Sequence, residues 1–261
     1  MDNSTLEAKI NHSIKVIQKA EKLALKYSDE GFHLAFSGGK DSQVIYELAK
    51  MAKVQFQAYF YKTSVDQKDL LRFIKTDYPD VVWLNPKQTM FQLILKKKAF
   101  PTRKSRFCCE SIKEKNGLNK VVIIGIRKAE SAKRKKRIEF TSDCKAGCDK
   151  NLLSPILEWS DNDVWKFLSI QKIKACKLYE TQLRIGCIGC PMSCNQLKEL
   201  IANPGIMKAY INTAQKVIER NPNVKFSRNF KNGEDAFKWW VSDMSVKKYI
   251  AIRDLQIKIN Y

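Results

Sequence analysis

The segment Ser37-Gly38-Gly39-Lys40-Asp41-Ser42 follows directly on the apolar run Phe32-His33-Leu34-Ala35-Phe36 and precedes a helix-like stretch from Gln43 to Lys53. A short hydrophobic run, two glycines and then a helical pattern read as strand, tight turn and helix. That junction aims backbone N–H groups and a helix N-terminus at one point, which suits a phosphate or another oxyanion. The glycines let the backbone come close to the anion, Ser37 and Ser42 add hydroxyl donors, and Lys40 adds a positive charge. The pattern is not the Walker loop, whose lysine follows a longer glycine-bracketed spacer. Two glycines alone make an ordinary turn. Both serines, the Lys-Asp pair and the preceding strand together point to anion binding.

The rest of the chain must supply a scaffold for such a loop. With 261 residues, 44% of them hydrophobic, and five Trp and thirteen Phe, it can bury a sizeable core. No apolar run is long enough to span a bilayer and no signal-peptide core is evident, so a soluble, cytoplasmic protein with no membrane partner is expected. Strand-like runs recur at 55–61, 81–84 and 120–126, separated by helix-length segments. Strands alternating with helices imply a mostly parallel, doubly wound α/β sheet, whose ligands bind beyond the strand C-termini at a switch in strand order. Upstream, Leu6, Ile10, Ile14, Ile17 and Ala24 recur at helical spacing. The apolar face of that helix would cover the domain or a second copy in a homodimer.

After Pro155 the character changes. Ser160 is an N-cap candidate for a helix beginning near Asp161, and segments around 194–202, 205–220, 234–242 and 245–257 read as helices. The expected organisation is an N-terminal helix over 1–28, a nucleotide-binding α/β domain over 29–160, and a helical, cysteine-bearing lobe over 161–261.

The loop resembles the pyrophosphate-binding (PP) loop of the adenine nucleotide alpha-hydrolase-like superfamily, and three further segments narrow the resemblance to its phosphoadenosine-phosphosulfate (PAPS) reductase family. Thr63-Ser64-Val65-Asp66 with Leu70-Leu71-Arg72-Phe73 is similar to the family's second-strand segment. Gly125-Ile126-Arg127-Lys128-Ala129-Glu130-Ser131-Ala132-Lys133-Arg134 is similar to its Gly-x-Arg-x-x-Glu-Ser-x-x-Arg segment. Arg106-Phe107-Cys108-Cys109, with Gly186-Cys187-Ile188-Gly189-Cys190-Pro191, resembles its iron–sulfur cysteine pattern. The resemblance implies an adenine nucleotide, ATP or a (phospho)adenylylsulfate, held by residues 37–42 together with Thr63, Asp66, Gly125, Arg127, Glu130 and Ser131. Lys40, Asp41, Arg127 and Arg134 would act on the phosphates. Arginine suits phosphate or sulfate through its planar fork. Asp41 and Asp66 are candidates to place Mg2+ or ribose, and each is equally a candidate helix cap.

Eight cysteines in a chain of this size fit thiolate ligation or redox chemistry better than a disulfide scaffold. By resemblance, Cys187, Cys190 and two of Cys108, Cys109 and Cys176 would hold a [4Fe–4S] cluster; from CxxC spacing alone, zinc is equally open. Cys194 and the Cys144, Cys148 pair read as free thiols. The basic cluster Arg103, Lys104 and Arg106 beside the cysteine pair would attract sulfate or phosphate. The run Lys133-Arg134-Lys135-Lys136-Arg137 is available to a larger polyanion, and a net charge of +21 makes nucleic acid a candidate substrate.

Reductases of this family attack sulfur with a cysteine near the C-terminus, whereas here no cysteine follows Cys194. The expectation is therefore an enzyme performing ATP-dependent sulfur transfer. Its sulfur would come from a donor such as a cysteine desulfurase. The alternatives are a sulfonucleotide reductase that uses another cysteine and a thioredoxin-like reductant, and a non-catalytic nucleotide- or cluster-sensing module.

Overall fold

The computed structural model describes residues 3–143 and 150–259; Cys144 and Cys148 lie outside them. The described residues form two compact units. The first comprises the described residues of 3–62, 68–85, 114–143 and 150–185, the second those of 63–67, 86–113 and 186–259.

The first unit is built around a six-stranded sheet. Its elements in chain order are α1 (Asn3–Tyr27), β1 (Phe32–Phe36), α2 (Lys40–Met51), β2 (Phe56–Tyr61), α3 (Lys68–Asp77), β3 (Val82–Leu84), β4 (Val121–Ile123), β5 (Phe140–Asp143), β6 (Lys150–Leu153) and α6 (Asp161–Ile170). The strand order is β3-β2-β1-β4-β6-β5. Pairing is parallel throughout except between β5 and β6. From β1 the chain builds outward through β2 to β3, then returns to the other side with β4. The order thus reverses between β1 and β4, and the crevice for a ligand opens beyond their C-terminal ends.

Period-2 alternation sends Phe32, Leu34 and Phe36 of β1 into one core with Ala58 and Phe60 of β2, all nearly inaccessible. Helix α1 lies against this layer through Leu6, Ile17 and Ala24. Its Ser13 is also fully buried, donating to the Pro155 carbonyl (2.7 Å) and accepting from the Trp159 indole N–H (3.1 Å), so the polar break in the apolar face is satisfied. The β5–β6 hairpin was not anticipated from sequence, because Lys150 and Asn151 interrupt the strand pattern.

Helix α6 begins as expected. The Ser160 hydroxyl accepts from Asp163 N–H (3.1 Å) while the Asp163 carboxylate accepts from Ser160 N–H (2.7 Å), a reciprocal box. Ser160→Ala should cost about 1 kcal/mol, read as a lower midpoint in urea unfolding; an unchanged midpoint would show that the cap carries no weight.

The second unit is helical: α4 (Met90–Lys97), α5 (Phe107–Cys109), α7 (Gln196–Ile201), α8 (Pro204–Arg220), α9 (Lys225–Asn229), α10 (Gly233–Val241) and α11 (Val246–Ile259). Helix α8 is its hub, packing on α4, α7, α9 and α10. The centre is aromatic: Phe100 stacks on Trp240 with ring centroids 4.6 Å apart, and Tyr210 is buried beside both. Among the described residues no helix is long and apolar enough to cross a membrane.

Candidate nucleotide site and the cysteine segment

In the first unit, β1 ends at Phe36 and the backbone turns at Gly38, where φ is +72°. A Cβ there would lie 2.6 Å from Leu70 Cδ1 and 2.8 Å from Ile74 Cδ1 and Cγ1, so both conformation and space require glycine. Gly39 then caps α2. The Ser42 hydroxyl donates to the Gly39 carbonyl (2.7 Å), and the Ser37 hydroxyl donates to Ser42 Oγ (3.2 Å), holding the turn together. An α-helix leaves its first-turn N–H groups without helical partners. Here the Lys40 N–H donates to the Tyr179 hydroxyl at 2.8 Å. Burial pushes the Tyr179 phenol up, so that hydroxyl stays protonated.

Beyond the loop lies a network of four charges. Arg127, which is 3% exposed, donates from Nε to Asp41 (2.6 Å) and from a terminal nitrogen to Asp161 (2.9 Å). Lys40, also buried, reaches Asp161 at 3.1 Å and Asp41 at 3.8 Å. Its ammonium also sits 5.8 Å from the Trp165 ring centre and 5.7 Å from that of Tyr179. Burial raises the Asp41 pKa despite the opposing pull of Lys40 and Arg127. For Asp161 the burial effect is outweighed by bonds from Lys40 and Arg127, and its pKa falls. Burial opposes the Arg127 charge, but Asp41, Glu130 and Asp161 together outweigh it and the Arg127 pKa rises. The Asp161 side chain is 60% exposed, so it is the member that an incoming anion can most readily replace.

The segment after β4 is fitted to this network. A Cβ on Gly125 would lie 2.9 Å from the Asp41 carbonyl oxygen, so strand end and helix start touch through backbone. The Glu130 carboxylate accepts from Arg127 N–H (2.8 Å) and also pairs with Arg134. Ser131 closes that turn by accepting from Arg134 N–H through its carbonyl at 2.9 Å. Residues 37–42, Gly125, Arg127 and Glu130 are thus linked by direct contacts, with Ser131 and Arg134 one step further along. Lys135, Lys136 and Arg137 are exposed. Sequence reasoning missed Asp161, Trp165 and Tyr179 as members of this arrangement. Asp161 carried a helix-start signal only, and Tyr179 carried none.

Thr63 and Asp66 belong to the second unit. There the Asp66 carboxylate accepts from Thr63 N–H (2.6 Å) and from the Thr63 hydroxyl (2.7 Å), closing a local turn. Val65 O accepts from Ile188 N–H (2.8 Å), tying this segment to the CxxC.

Cys108, Cys109, Cys187 and Cys190 also lie in the second unit, whereas Cys176 is buried in the sheet core of the first. Burial raises the Cys176 thiol pKa. A hydrogen bond within the adjacent pair raises the Cys108 pKa and lowers that of Cys109 to about 5, with Arg106 and Lys113 contributing to the lowering. Lys113 is held in its charged form chiefly by Cys187, with Cys109, Asp66 and Cys190 adding to it. Among the described residues no group of three or more His, Cys, Asp or Glu side chains is gathered where a metal ion would sit.

Comparison with known proteins shows the family. Residues 31–193 match the phosphoadenosine phosphosulfate reductase domain. An uncharacterized protein of Methanocaldococcus jannaschii is 31% identical over 204 residues, covering 72% of this chain and 49% of that protein. A second from the same organism is 33% identical over 174 residues, of which the chain spans 35% of the length. The chain therefore covers half or less of these relatives. A probable FAD synthase of Schizosaccharomyces pombe is 25% identical over 181 residues, covering 67% of this chain and 64% of that one. Among solved structures, Candida glabrata FMN adenylyltransferase in complex with ATP aligns over 71% of this chain and 62% of its own, with a TM-score of 0.52 and 17% identity. That similarity is one of fold.

Proposed function

Because the chain belongs to the phosphoadenosine phosphosulfate reductase domain family, we propose that it is an enzyme that binds ATP at residues 37–42 and transfers its adenylyl group to an acceptor oxygen, which sulfur then displaces. The observation that carries the reading is the loop between β1 and α2, backed by the Lys40–Asp41–Arg127–Asp161 network at the switch in strand order. In the first step an acceptor oxygen forms a bond to the α-phosphorus and pyrophosphate leaves. In the second, a sulfur nucleophile from a donor protein forms a bond to the acceptor carbon and AMP leaves with the oxygen.

The roles follow from charge. First-turn N–H groups of α2 bind the β,γ-phosphates, and the Ser37 and Ser42 hydroxyls leave their partners within the turn to donate to them. Lys40 and Arg127 stabilise the charge that builds on the departing pyrophosphate, with Asp161 yielding its place to the phosphates. Asp41 stays on Arg127 and orients it, and is the proposed carboxylate for a Mg2+ ion arriving with the nucleotide. Glu130 positions Arg127 and Arg134, while Gly125 and Ser131 shape the loop.

The soft donors Cys108, Cys109, Cys187 and Cys190 match in number and type those of a [4Fe–4S] cluster, and we assign them to one; the buried Cys176 is the spare. Protein purified without oxygen should carry about four iron and four sulfide per chain. Stoichiometric zinc without sulfide would replace the cluster with a structural metal.

A second reading has its own support. The probable FAD synthase relative favours adenylyl transfer that stops after the first step, with a phosphate as acceptor. Release of AMP and pyrophosphate from ATP, sulfite release from PAPS, and FAD formation from FMN separate the cases. AMP and pyrophosphate with a thiolated product support the sulfur-transfer reading. FAD supports the second, and sulfite would make the chain a sulfonucleotide reductase.

A further inference from the structure

The loop between α4 and α5 in the second unit frames an open cavity of about 380 Å³ that the proposed chemistry does not use. Its lining includes Lys97, Lys104 and Arg106, with Ser105, Phe107 and Glu110. Three cations face one carboxylate, so the cavity favours an anion. Its volume falls in the range of small-molecule sites, roughly 300–1,000 Å³, and is larger than a bare tetrahedral oxyanion requires. Glu110 would repel phosphate but would accept from a hydroxyl or amino group on the same ligand.

The cavity wall is fixed at both ends. Phe100 is buried and stacked on Trp240, and the Trp240 indole N–H donates to the Pro101 carbonyl at 2.6 Å. Phe107 is buried at the other end. Between them, Thr102 N–H donates to the Ser105 carbonyl (3.0 Å) and Ser105 N–H donates to the Thr102 hydroxyl (3.0 Å). Arg103 leans away to Asp243 at 3.1 Å. Lys104 and Arg106 are thus carried on an anchored turn, and Lys97 on the end of α4, a geometry that limits the entropy lost when they close on a ligand. The same segment runs directly into Cys108 and Cys109.

We infer that this cavity is a binding site of the second unit for a phosphorylated, nucleotide-sized compound or segment, held through Lys97, Lys104 and Arg106, with Glu110 accepting from its hydroxyl or amino groups. The phosphate has two sources, a small phosphomonoester or a nucleic-acid strand, and the test separates them.

Binding of FMN and of a fluorescent single-stranded 12-nucleotide RNA is measured by anisotropy or flavin quenching at low salt. ATP binding is measured separately on every protein. At least one probe should bind the wild type. Its affinity should fall at least about tenfold in Lys97→Ala/Lys104→Ala and again in Arg106→Ala, as lost charge-assisted contacts require. Lys87→Ala/Lys96→Ala removes the same charge from exposed positions outside the cavity and should change affinity less than about twofold. Binding of RNA alone, with a steep salt dependence, identifies a strand; binding of FMN alone identifies a small phosphomonoester. Failure of both probes to bind the folded wild type overturns the inference, as does an equal loss in the control variant.

Discussion

Arg127→Ala is expected to destabilise the first unit by about 3 kcal/mol, because removing one partner of a buried pair strands the other charge. Asp41, with its side chain 22% exposed, is left with Lys40 at 3.8 Å as its remaining ion-pair partner; Asp161 is mostly in water and loses little. The value therefore sits at the low end for buried pairs. The pH dependence follows from the Asp41 pKa, which burial already raises above the ordinary value of 3.8. A carboxyl with a raised folded pKa binds more protons folded than unfolded, so its contribution to stability falls as pH rises through that pKa. Without Arg127 the pKa rises further. The deficit of Arg127→Ala should therefore be largest at neutral pH and shrink as the pH falls toward the folded pKa. Adding Asp41→Asn should recover part of it at neutral pH. Urea unfolding across that range measures both, and a pH-independent deficit would show that Arg127 acts through packing alone.

Gly38→Val should have the largest effect on ligand binding. A β-branched residue at φ +72° costs about 1–3 kcal/mol in backbone strain. Its Cβ would press on Leu70 and Ile74 at 2.6–2.8 Å, and overpacking adds a comparable amount. The loop can relieve both only by moving its N–H groups off the phosphate position. Nucleotide affinity should drop by at least about 100-fold, since positioning of this kind is worth several kcal/mol, while far-ultraviolet circular dichroism keeps its helical signal. Retained affinity in a folded variant would move the nucleotide elsewhere.

The loop was legible in the sequence because its determinants are local. Two glycines, two serines and a Lys-Asp pair lie within six residues after an apolar strand. The parallel sheet was legible from alternating strand and helix patterns. The charge network was not, since Asp161 and Tyr179 reach Lys40 from more than 120 residues away, through the position of α6 against α2. No periodicity encodes that meeting. The division of the cysteines was equally hidden: Cys176 and Cys187 are close in sequence, yet the chain passes from one unit to the other at residue 186. Arg134 was read from its family pattern as a phosphate ligand, and in the structure it pairs with Glu130. The β5–β6 hairpin escaped because polar side chains broke its alternation.

Calorimetric titration with ATP, repeated in the presence of pyrophosphate, tests the central claim most directly. If residues 37–42 bind the β,γ-phosphates, ATP should bind the wild type, pyrophosphate should compete for the same site, and Lys40→Ala should weaken both by about tenfold or more. ATP binding that pyrophosphate does not displace and that Lys40→Ala leaves unchanged would contradict the account.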